Sequence, residues 1–192
     1  SKIRHYTSNS VLKVIYNSLI YPYLLYGITI WGNADAILTK PIHTLQKKAV
    51  RTILNKNNVQ IIFTLPDSPE SIWYVDSFIK ESAAPIFKSL NLLSIFDIYK
   101  VEILKYVYNS LKNKNPKQFH TLIQYLINNY PTAANRNNNL EIPCVRTTRY
   151  GLKSIKYNGA LLWNNLPNSI KTILGYKPFV KSIKQHFINS YE

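Results

Sequence analysis

The chain has 192 residues, of which 46% are hydrophobic, which is enough to fill a core and excludes a wholly disordered protein. Lysine and arginine number 24 against 9 aspartates and glutamates, and the resulting formal charge of +15 favours a polyanionic partner such as nucleic acid. The single cysteine, Cys144, excludes an intrachain disulfide and a cysteine zinc site, and we expect it to be a small packed residue.

The first predicted element covers residues 11–31, which include the aromatic stretch YPYLLYGITIWG. Its length matches a bilayer, so a membrane anchor is one interpretation. Dispersed tyrosines, Lys13 and Pro22 favour the other interpretation, a buried helix that bends at the proline and ends at Gly32 and Asn33. Apolar residues at three- and four-residue steps predict that this helix needs neighbours on more than one side. The predicted inward set is Tyr16, Leu19, Ile20, Tyr23, Leu24, Gly27 and Trp31.

A second helix is predicted to begin with the tripeptide TKP, which places Pro41 near its first position. From Ile42 onward the apolar residues form one stripe, and the basic residues fall mostly on the other side. Residues 55–85 are interpreted as a connector with a short helix over 71–80, and one or two helical turns follow over 85–90. The stripe is Leu45, Ala49, Val50 and Ile53, and the basic residues are Lys47, Lys48 and Arg51.

Ser94 and Asp97 resemble a capping box and predict the start of a long apolar helix that ends at the polar run 112–115. Pro116 predicts the start of another helix, and a polar segment follows over 132–139.

The last part of the chain is predicted to be extended over 140–150 and helical over 152–166, with a break at Gly159. A final helix over 178–191 completes a mainly α chain with little or no sheet. Its predicted inward residues are Phe179, Ile183, Phe187 and Ile188.

Charge is distributed unevenly along the chain. Six of the nine acids lie within residues 67–102, whereas no acid lies between Glu141 and Glu192. Such an acid-free stretch suits a phosphate backbone, and arginine suits bidentate phosphate binding. Tyr150 and Tyr157 are candidates for stacking on bases, whereas Trp163 is favoured as a core residue. A solvated basic surface without any polyanionic partner is the alternative. The basic residues of the stretch are Arg146, Arg149, Lys153, Lys156, Lys171, Lys177, Lys181 and Lys184.

Catalytic groups are not recognisable in the sequence. The tetrapeptide YVDS at 74–77 invites comparison with the Tyr-x-Asp-Asp hairpin of reverse transcriptases, but Ser77 follows Asp76 where a second carboxylate is needed. Because two-metal transfer cannot run on one carboxylate, we interpret the likeness as coincidence. We predict no catalytic, cofactor-binding or metal-binding residue in this chain.

Several motifs together resemble one protein family. The run YNSLIYPYLLYGITIWGNA followed by LQKKAVRTI resembles the segment after the palm in reverse transcriptases of non-long-terminal-repeat retrotransposons, jockey-like elements in particular. The later PIFKSLNLLSIFDIYK, KSIKYNGALLWNNLP and FVKSIKQHF resemble the carboxyl-terminal segments of the same family, in the same order. The resemblance covers nearly the whole chain except 56–82, and its most specific motifs are Tyr26-Gly27 with Trp31-Gly32 and Trp163-Asn164-x-Leu166-Pro167.

The resemblance implies a thumb-like helical bundle over 1–56, a connector over 57–90 and a helical carboxyl-terminal region over 91–192. It also implies that fingers and palm, with the catalytic aspartates and Mg²⁺, belong to the missing part of a longer parent chain, which the absence of methionine also suggests. We therefore expect no cofactor in this chain and no polymerase activity from it alone. The implied partners are an RNA/DNA hybrid or template RNA and the missing fingers and palm, with an intracellular location, nuclear or cytoplasmic.

Three functions stay in competition at this point. The first is backbone binding of template–primer, for which the candidate residues are Gln46, Lys47, Lys48, Arg51, Arg146, Arg149, Lys153 and Lys156. The second is a membrane-attached basic protein anchored through 11–31. The third is a helical protein-interaction domain whose charge is incidental. In that case, neutralising the cations over 47–51 and 146–149 would leave nucleic-acid retention unchanged.

Overall fold

The computed structural model describes residues 6–54, 83–117 and 139–191. Every regular element in these ranges is a helix and none is a strand, which confirms the predicted mainly α class. The expectations for 71–80, for the tetrapeptide at 74–77 and for the helix after Pro116 lie outside the described residues. The helices are α1 (Asn9–Ile15), α2 (Tyr21–Leu25), α3 (Ile28–Trp31), α4 (Ala36–Ile53), α5 (Ala84–Leu90), α6 (Ile95–Leu111), α7 (Ile155–Asn164), α8 (Asn168–Lys171) and α9 (Tyr176–Asn189), with π-helical turns at Tyr16–Ile20 and Thr148–Leu152.

The sequence predicted one helix for the aromatic stretch at the start of the chain. The structure instead has a succession of short helices with a break. The chain stays helical from α1 through the π turn into α2, and then breaks at Tyr26–Gly27. Gly27 has a φ of +62°, a left-handed conformation that glycine adopts without steric cost. The Trp31 indole N–H closes the break by donating to the Tyr26 carbonyl at 2.7 Å. A tyrosine–glycine pair therefore redirects the chain one turn before the predicted end.

The predicted inward face of this stretch is only partly correct. Tyr16, Leu24 and Ile28 are buried, whereas Leu19 and Tyr23 are 61% and 82% exposed. The π turn adds a residue to one turn of helix, which rotates the following side chains away from the three- and four-residue pattern. In the three described ranges, no helix combines the length and the apolar character that crossing a membrane requires.

Helix α4 begins at Ala36, three residues before the tripeptide TKP at 39–41 that was predicted to begin it. The Asp35 carbonyl accepts the first helical hydrogen bonds, from the N–H groups of Leu38 and Thr39 at 2.9 and 3.2 Å. Proline has a helical φ, so Pro41 is tolerated inside the helix at the loss of one backbone hydrogen bond. The prediction failed because proline is common in the first turn of a helix but is not confined to it.

Helix α6 lies in the larger of the two apolar clusters, and ten of its seventeen residues are buried. Ser94 caps this helix as predicted: the Asp97 N–H donates to Ser94 Oγ at 3.3 Å, and Ser94 Oγ donates to the Asp97 carboxylate at 2.6 Å. The reciprocal bond of a capping box does not form, because the Ser94 N–H donates to the Tyr191 hydroxyl and not to Asp97. Helices α3, α4, α7 and α9 each pack against α6. Its position in the middle explains why it is apolar nearly all round.

Helix α7 passes through Gly159 without a break, contrary to the prediction. A Cβ at this position would lie 2.9 Å from Cγ2 of Val107, so the missing side chain allows α7 and α6 to approach closely. Trp163 is 3% exposed and packs beside Phe179, which confirms its assignment to the core. Gly159 therefore serves packing and does not interrupt the helix.

The end of the chain matches its prediction in part. The extended segment predicted over 140–150 is wrong for 148–150, which belong to the π-helical turn Thr148–Leu152, and the helix predicted over 152–166 spans Ile155–Asn164. Residues 140–147 form no regular helix, and α9 starts two residues before Pro178. Phe179, Ile183 and Ile188 are buried as expected, and Phe187 is half-buried. Cys144 is exposed, so its predicted place in a packed interior is wrong.

Two apolar clusters hold the described helices together. One surrounds α6 and combines Leu24 and Ile28 with the buried side of α7 and α9. The other combines Leu12, Tyr16 and Val50 with α5. Each cluster joins residues from before 57 to residues from after 82, and the boundaries proposed from the sequence stay a prediction.

Candidate nucleic-acid interface

The outer side of α4 carries a line of cations. Lys40, Lys47 and Arg51 are seven and four residues apart, so they lie along one side of the helix over about 16 Å. Lys40 and Lys48 are exposed, and Lys47 and Arg51 are half-buried. Lysine stems of this kind lie along the helix surface while their charged ends reach the solvent. The line is long enough to follow several phosphates of one strand.

Gln46 does not belong to this outer surface, which corrects the sequence-based assignment. It is 2% exposed, and the buried side of α4 consists of Thr39, Gln46, Val50 and Ile53. Leu45, which the sequence placed inside, is 65% exposed. The hydrophobic pattern assigned the apolar Leu45 to the interior and the polar Gln46 to the surface. The helix is rotated by one residue relative to that assignment, so the two positions are exchanged.

The Gln46 amide joins α4 to the start of α6. Its Nε2 donates to the Tyr16 hydroxyl and to the Leu93 carbonyl, both at 2.9 Å, and its Oε1 accepts from the Ile95 N–H at 2.8 Å. Three partners from two distant segments satisfy this buried amide. The hydrogen bonds fix the rotation of α4, so they determine which side of that helix carries its lysines outward.

The last described residue, Tyr191, also forms hydrogen bonds with the start of α6. The Ser94 N–H donates to the Tyr191 hydroxyl at 2.9 Å, and that hydroxyl donates to the Asp97 carboxylate at 2.6 Å. Burial and the Asp97 carboxylate raise the pKa of Tyr191 well above its usual range, so the phenol stays protonated. Lys88 donates to the Tyr191 carbonyl at 2.8 Å. The end of α9 is therefore tied to the same junction as α4.

The cations predicted over 146–156 have different environments. Arg146 is exposed, and Lys156 is half-buried. Lys153 forms an ion pair with Asp35, and its backbone carbonyl accepts from the Asn33 side chain at 3.0 Å. Lys153 therefore ties this segment to the turn before α4, and part of its charge is offset there. The structure describes the backbone of Arg149 but not its side chain.

The motif Trp163-Asn164-x-Leu166-Pro167 has an internal role. The Asn164 amide pairs with both backbone groups of Leu140, as acceptor from its N–H and as donor to its carbonyl, each at 2.7 Å. Lys171 is 9% exposed, and its ammonium donates to Asn139 Oδ1 at 2.8 Å and to the Asn164 carbonyl at 3.0 Å. Burial lowers the pKa of Lys171. These contacts attach the extended segment 139–147 to the helical core.

Sequence reasoning left further cations out of the candidate site. Lys177, Lys181 and Lys184 are four and three residues apart on α9, opposite the buried Phe179 and Ile183. The sequence showed them as basic residues of the acid-free stretch, but their shared helix side was not used to place them in the site. Lys40 lies in the tripeptide predicted to begin α4 and was not counted with the cations from Lys47 to Arg51.

The described residues carry the whole excess charge of the chain. They include nineteen lysines and arginines and four acids, a net charge of +15. Three ion pairs are found among them, Lys100–Asp97, Lys105–Glu102 and Lys153–Asp35. Within the same ranges, no group of three or more histidine, cysteine, aspartate or glutamate side chains is placed to hold a metal ion.

Comparisons of this chain with protein-family models, with curated proteins and with solved structures found no match.

Proposed function

We propose that this chain is the region after the palm of a retroelement RNA-directed DNA polymerase, and that it binds the sugar–phosphate backbone of template–primer without carrying out chemistry. The observation that carries the proposal is the line of cations on the outer side of α4, within described residues whose net charge is +15. Binding of this kind reads no sequence, because phosphate contacts position a protein without specifying bases.

The internal contacts support this proposal by fixing where the charge lies. Gln46 sets the rotation of α4, and the Lys153–Asp35 pair holds the following cationic segment beside the start of that helix. A rigid support of this type reduces the entropy lost when the lysines engage phosphates. The duplex would then contact α4, and the segment around Arg146 would provide a second contact.

The salt dependence of binding to an RNA/DNA hybrid tests this proposal. Each phosphate contact releases condensed counterions, so the logarithm of the binding constant should fall linearly with the logarithm of salt concentration. Replacing Lys40, Lys47 and Lys48 by glutamine should weaken binding and reduce the slope by about 0.9 for each phosphate that is no longer neutralised. The measurement is fluorescence anisotropy of a labelled hybrid over a series of salt concentrations.

A matched variant controls for total charge. Replacing Lys112, Lys114 and Lys117 by glutamine removes the same three charges from the exposed segment after α6. This control should change the slope less than the α4 variant does. Equal effects of the two variants, or binding by the unmodified chain that does not depend on salt, would contradict the proposal.

A second candidate function, a helical protein-interaction domain, is favoured by apolar side chains around the turn between α3 and α4. Ile30, Ile37 and Leu38 are 85%, 82% and 65% exposed, which is unusual for three neighbouring aliphatic residues. Replacing Ile37 and Leu38 by serine should leave hybrid binding unchanged if the first proposal is right. Hybrid retention that does not change when the α4 lysines are replaced by glutamine would favour the second candidate.

A further inference from the structure

Aromatic and basic side chains alternate across the start of α6, between α4 and α9. We define the aromatic–basic ribbon as Lys40, Lys47, His43, Phe96, Lys100 and Phe187. His43 and Phe96 have ring centroids 4.9 Å apart, and Lys100 Nζ lies 5.4 Å from the centre of the Phe187 ring. Phe96 and Lys100 are one helical turn apart on α6, which joins the two pairs.

The ribbon presents an aromatic ring to the solvent beside cations. Phe96 is 39% exposed, although it lies on a core helix, and the Lys100 side chain is 40% exposed. His43 stacks on the buried Phe87 with ring centroids 6.3 Å apart, which holds its own ring in place against Phe96. Ring faces held in fixed positions lose little entropy when a flat ligand stacks on them.

Asp97 is the acid that pairs with the ribbon, and its carboxylate is turned inward. It is 7% exposed and accepts from Ser94, from Tyr191 and from Lys100, the last at 2.8 Å. This pairing offsets part of the Lys100 charge and fixes its ammonium near Phe187. The outward charge at the other end of the ribbon comes from Lys40 and Lys47 on α4.

We propose that the aromatic–basic ribbon binds single-stranded nucleic acid, with an unpaired base stacked on Phe96 and the flanking phosphates on Lys40 and Lys47. The inference rests on the proposed function for the class of partner, and it adds that this surface binds the unpaired part of the nucleic acid. Proteins that hold single strands combine a positive groove with aromatic side chains, because every base has a face that can stack. A blunt duplex has no such face available along its length, so it would use the cations alone.

Phe96→Leu tests the stacking step directly, because leucine keeps an apolar side chain while removing the aromatic face. We expect this variant to bind a short single-stranded RNA about 5- to 160-fold more weakly, the range for loss of one base–aromatic stack. Affinity for a blunt RNA/DNA hybrid should stay within about twofold of the unmodified protein. Phe96→Tyr should restore single-strand binding because it restores the ring.

Tyr23→Leu is the matched control for loss of an aromatic ring, since Tyr23 is 82% exposed on α2. Lys47→Gln should also weaken single-strand binding, because it removes a proposed phosphate contact. Lys112→Gln is its matched control, because Lys112 follows the far end of α6, about 24 Å from Phe96 by helical rise. Both controls should leave the affinity for single-stranded RNA unchanged within about twofold. A single-stranded RNA that carries 2-aminopurine gives a second readout, because stacking on Phe96 should quench its fluorescence in the unmodified protein and in Phe96→Tyr but not in Phe96→Leu.

The outcomes separate this inference from the proposed function. If the unmodified chain binds the blunt hybrid with a steep salt dependence but Phe96→Leu binds single strands normally, the ribbon proposal is overturned and backbone binding stands. The ribbon proposal is also overturned if Phe96→Leu weakens hybrid and single strand equally. If the unmodified chain binds neither, both proposals fail.

Discussion

Gln46→Leu should destabilise the protein strongly without acting on nucleic acid directly. The substitution removes two donors and one acceptor that satisfy Tyr16, Leu93 and Ile95 in the interior. Each buried polar group that loses its partner costs about 1–3 kcal/mol, so two backbone groups and one hydroxyl predict a loss of roughly 3–9 kcal/mol. That is a large share of the roughly 5–15 kcal/mol that stabilises a domain of ordinary size.

Urea denaturation followed by circular dichroism measures this loss as a lower midpoint. Gln185→Leu is the matched control, because Gln185 is exposed on α9 and donates to Asn189 of the same helix. The control should change the free energy of unfolding by less than about 0.5 kcal/mol. If Gln46→Leu costs less than about 1 kcal/mol but weakens hybrid binding, the residue is a phosphate contact and the hydrogen-bond argument is refuted.

Two further predictions concern packing and pH. Gly159→Ala should destabilise the protein by about 1–3 kcal/mol, although alanine favours helix, because its Cβ would lie 2.9 Å from Val107 Cγ2. Adding Val107→Ala to the same chain should recover most of that loss, as measured by denaturation. Burial, and then the Lys47 ammonium, lower the pKa of His43, so the unfolded chain binds a proton on this residue more readily than the folded one. The stability that neutral His43 provides is therefore fully present above about pH 6.5 and is lost as the pH falls below it, and His43→Gln should flatten that part of a thermal-denaturation profile.

Local patterns predicted the parts of the fold that local contacts determine. The helix cap joins Ser94 to Asp97, three residues away, and the Asp97 N–H donates to Ser94 Oγ as the sequence implied. The Ser94 N–H donates to the distant Tyr191 and not to Asp97, which the local pattern did not predict. The buried Phe179 and Ile183 follow from the spacing of apolar residues along α9, because a helix that packs on a core shows one apolar side.

Long-range contacts decided the parts that the sequence did not predict. Gln46 is interior because its amide bonds residues 30, 47 and 49 positions away, and no pattern within α4 encodes those partners. Gly159 was interpreted as a helix break because a rule based on local sequence does not include its contact with Val107 on the neighbouring helix. The aromatic–basic ribbon is not visible in the sequence for the same reason, since His43 and Phe96 meet only after α4 packs against α6.

Within the motifs that carry the resemblance, the residues that bond inside the protein and the cations proposed to bind nucleic acid are different residues. Trp31 bonds the Tyr26 carbonyl, Asn164 pairs with the backbone of Leu140, and Gln46 joins α4 to α6, so these motif residues build the support. The exposed lysines lie between them in sequence and are held outward by them. Variants of the motif residues should therefore lower stability first and binding only as a consequence, whereas variants of neighbouring lysines should lower binding at unchanged stability. Adjacent positions such as 46 and 47 would then give opposite results in the two assays, which a function based on charge alone, without a defined support, does not predict.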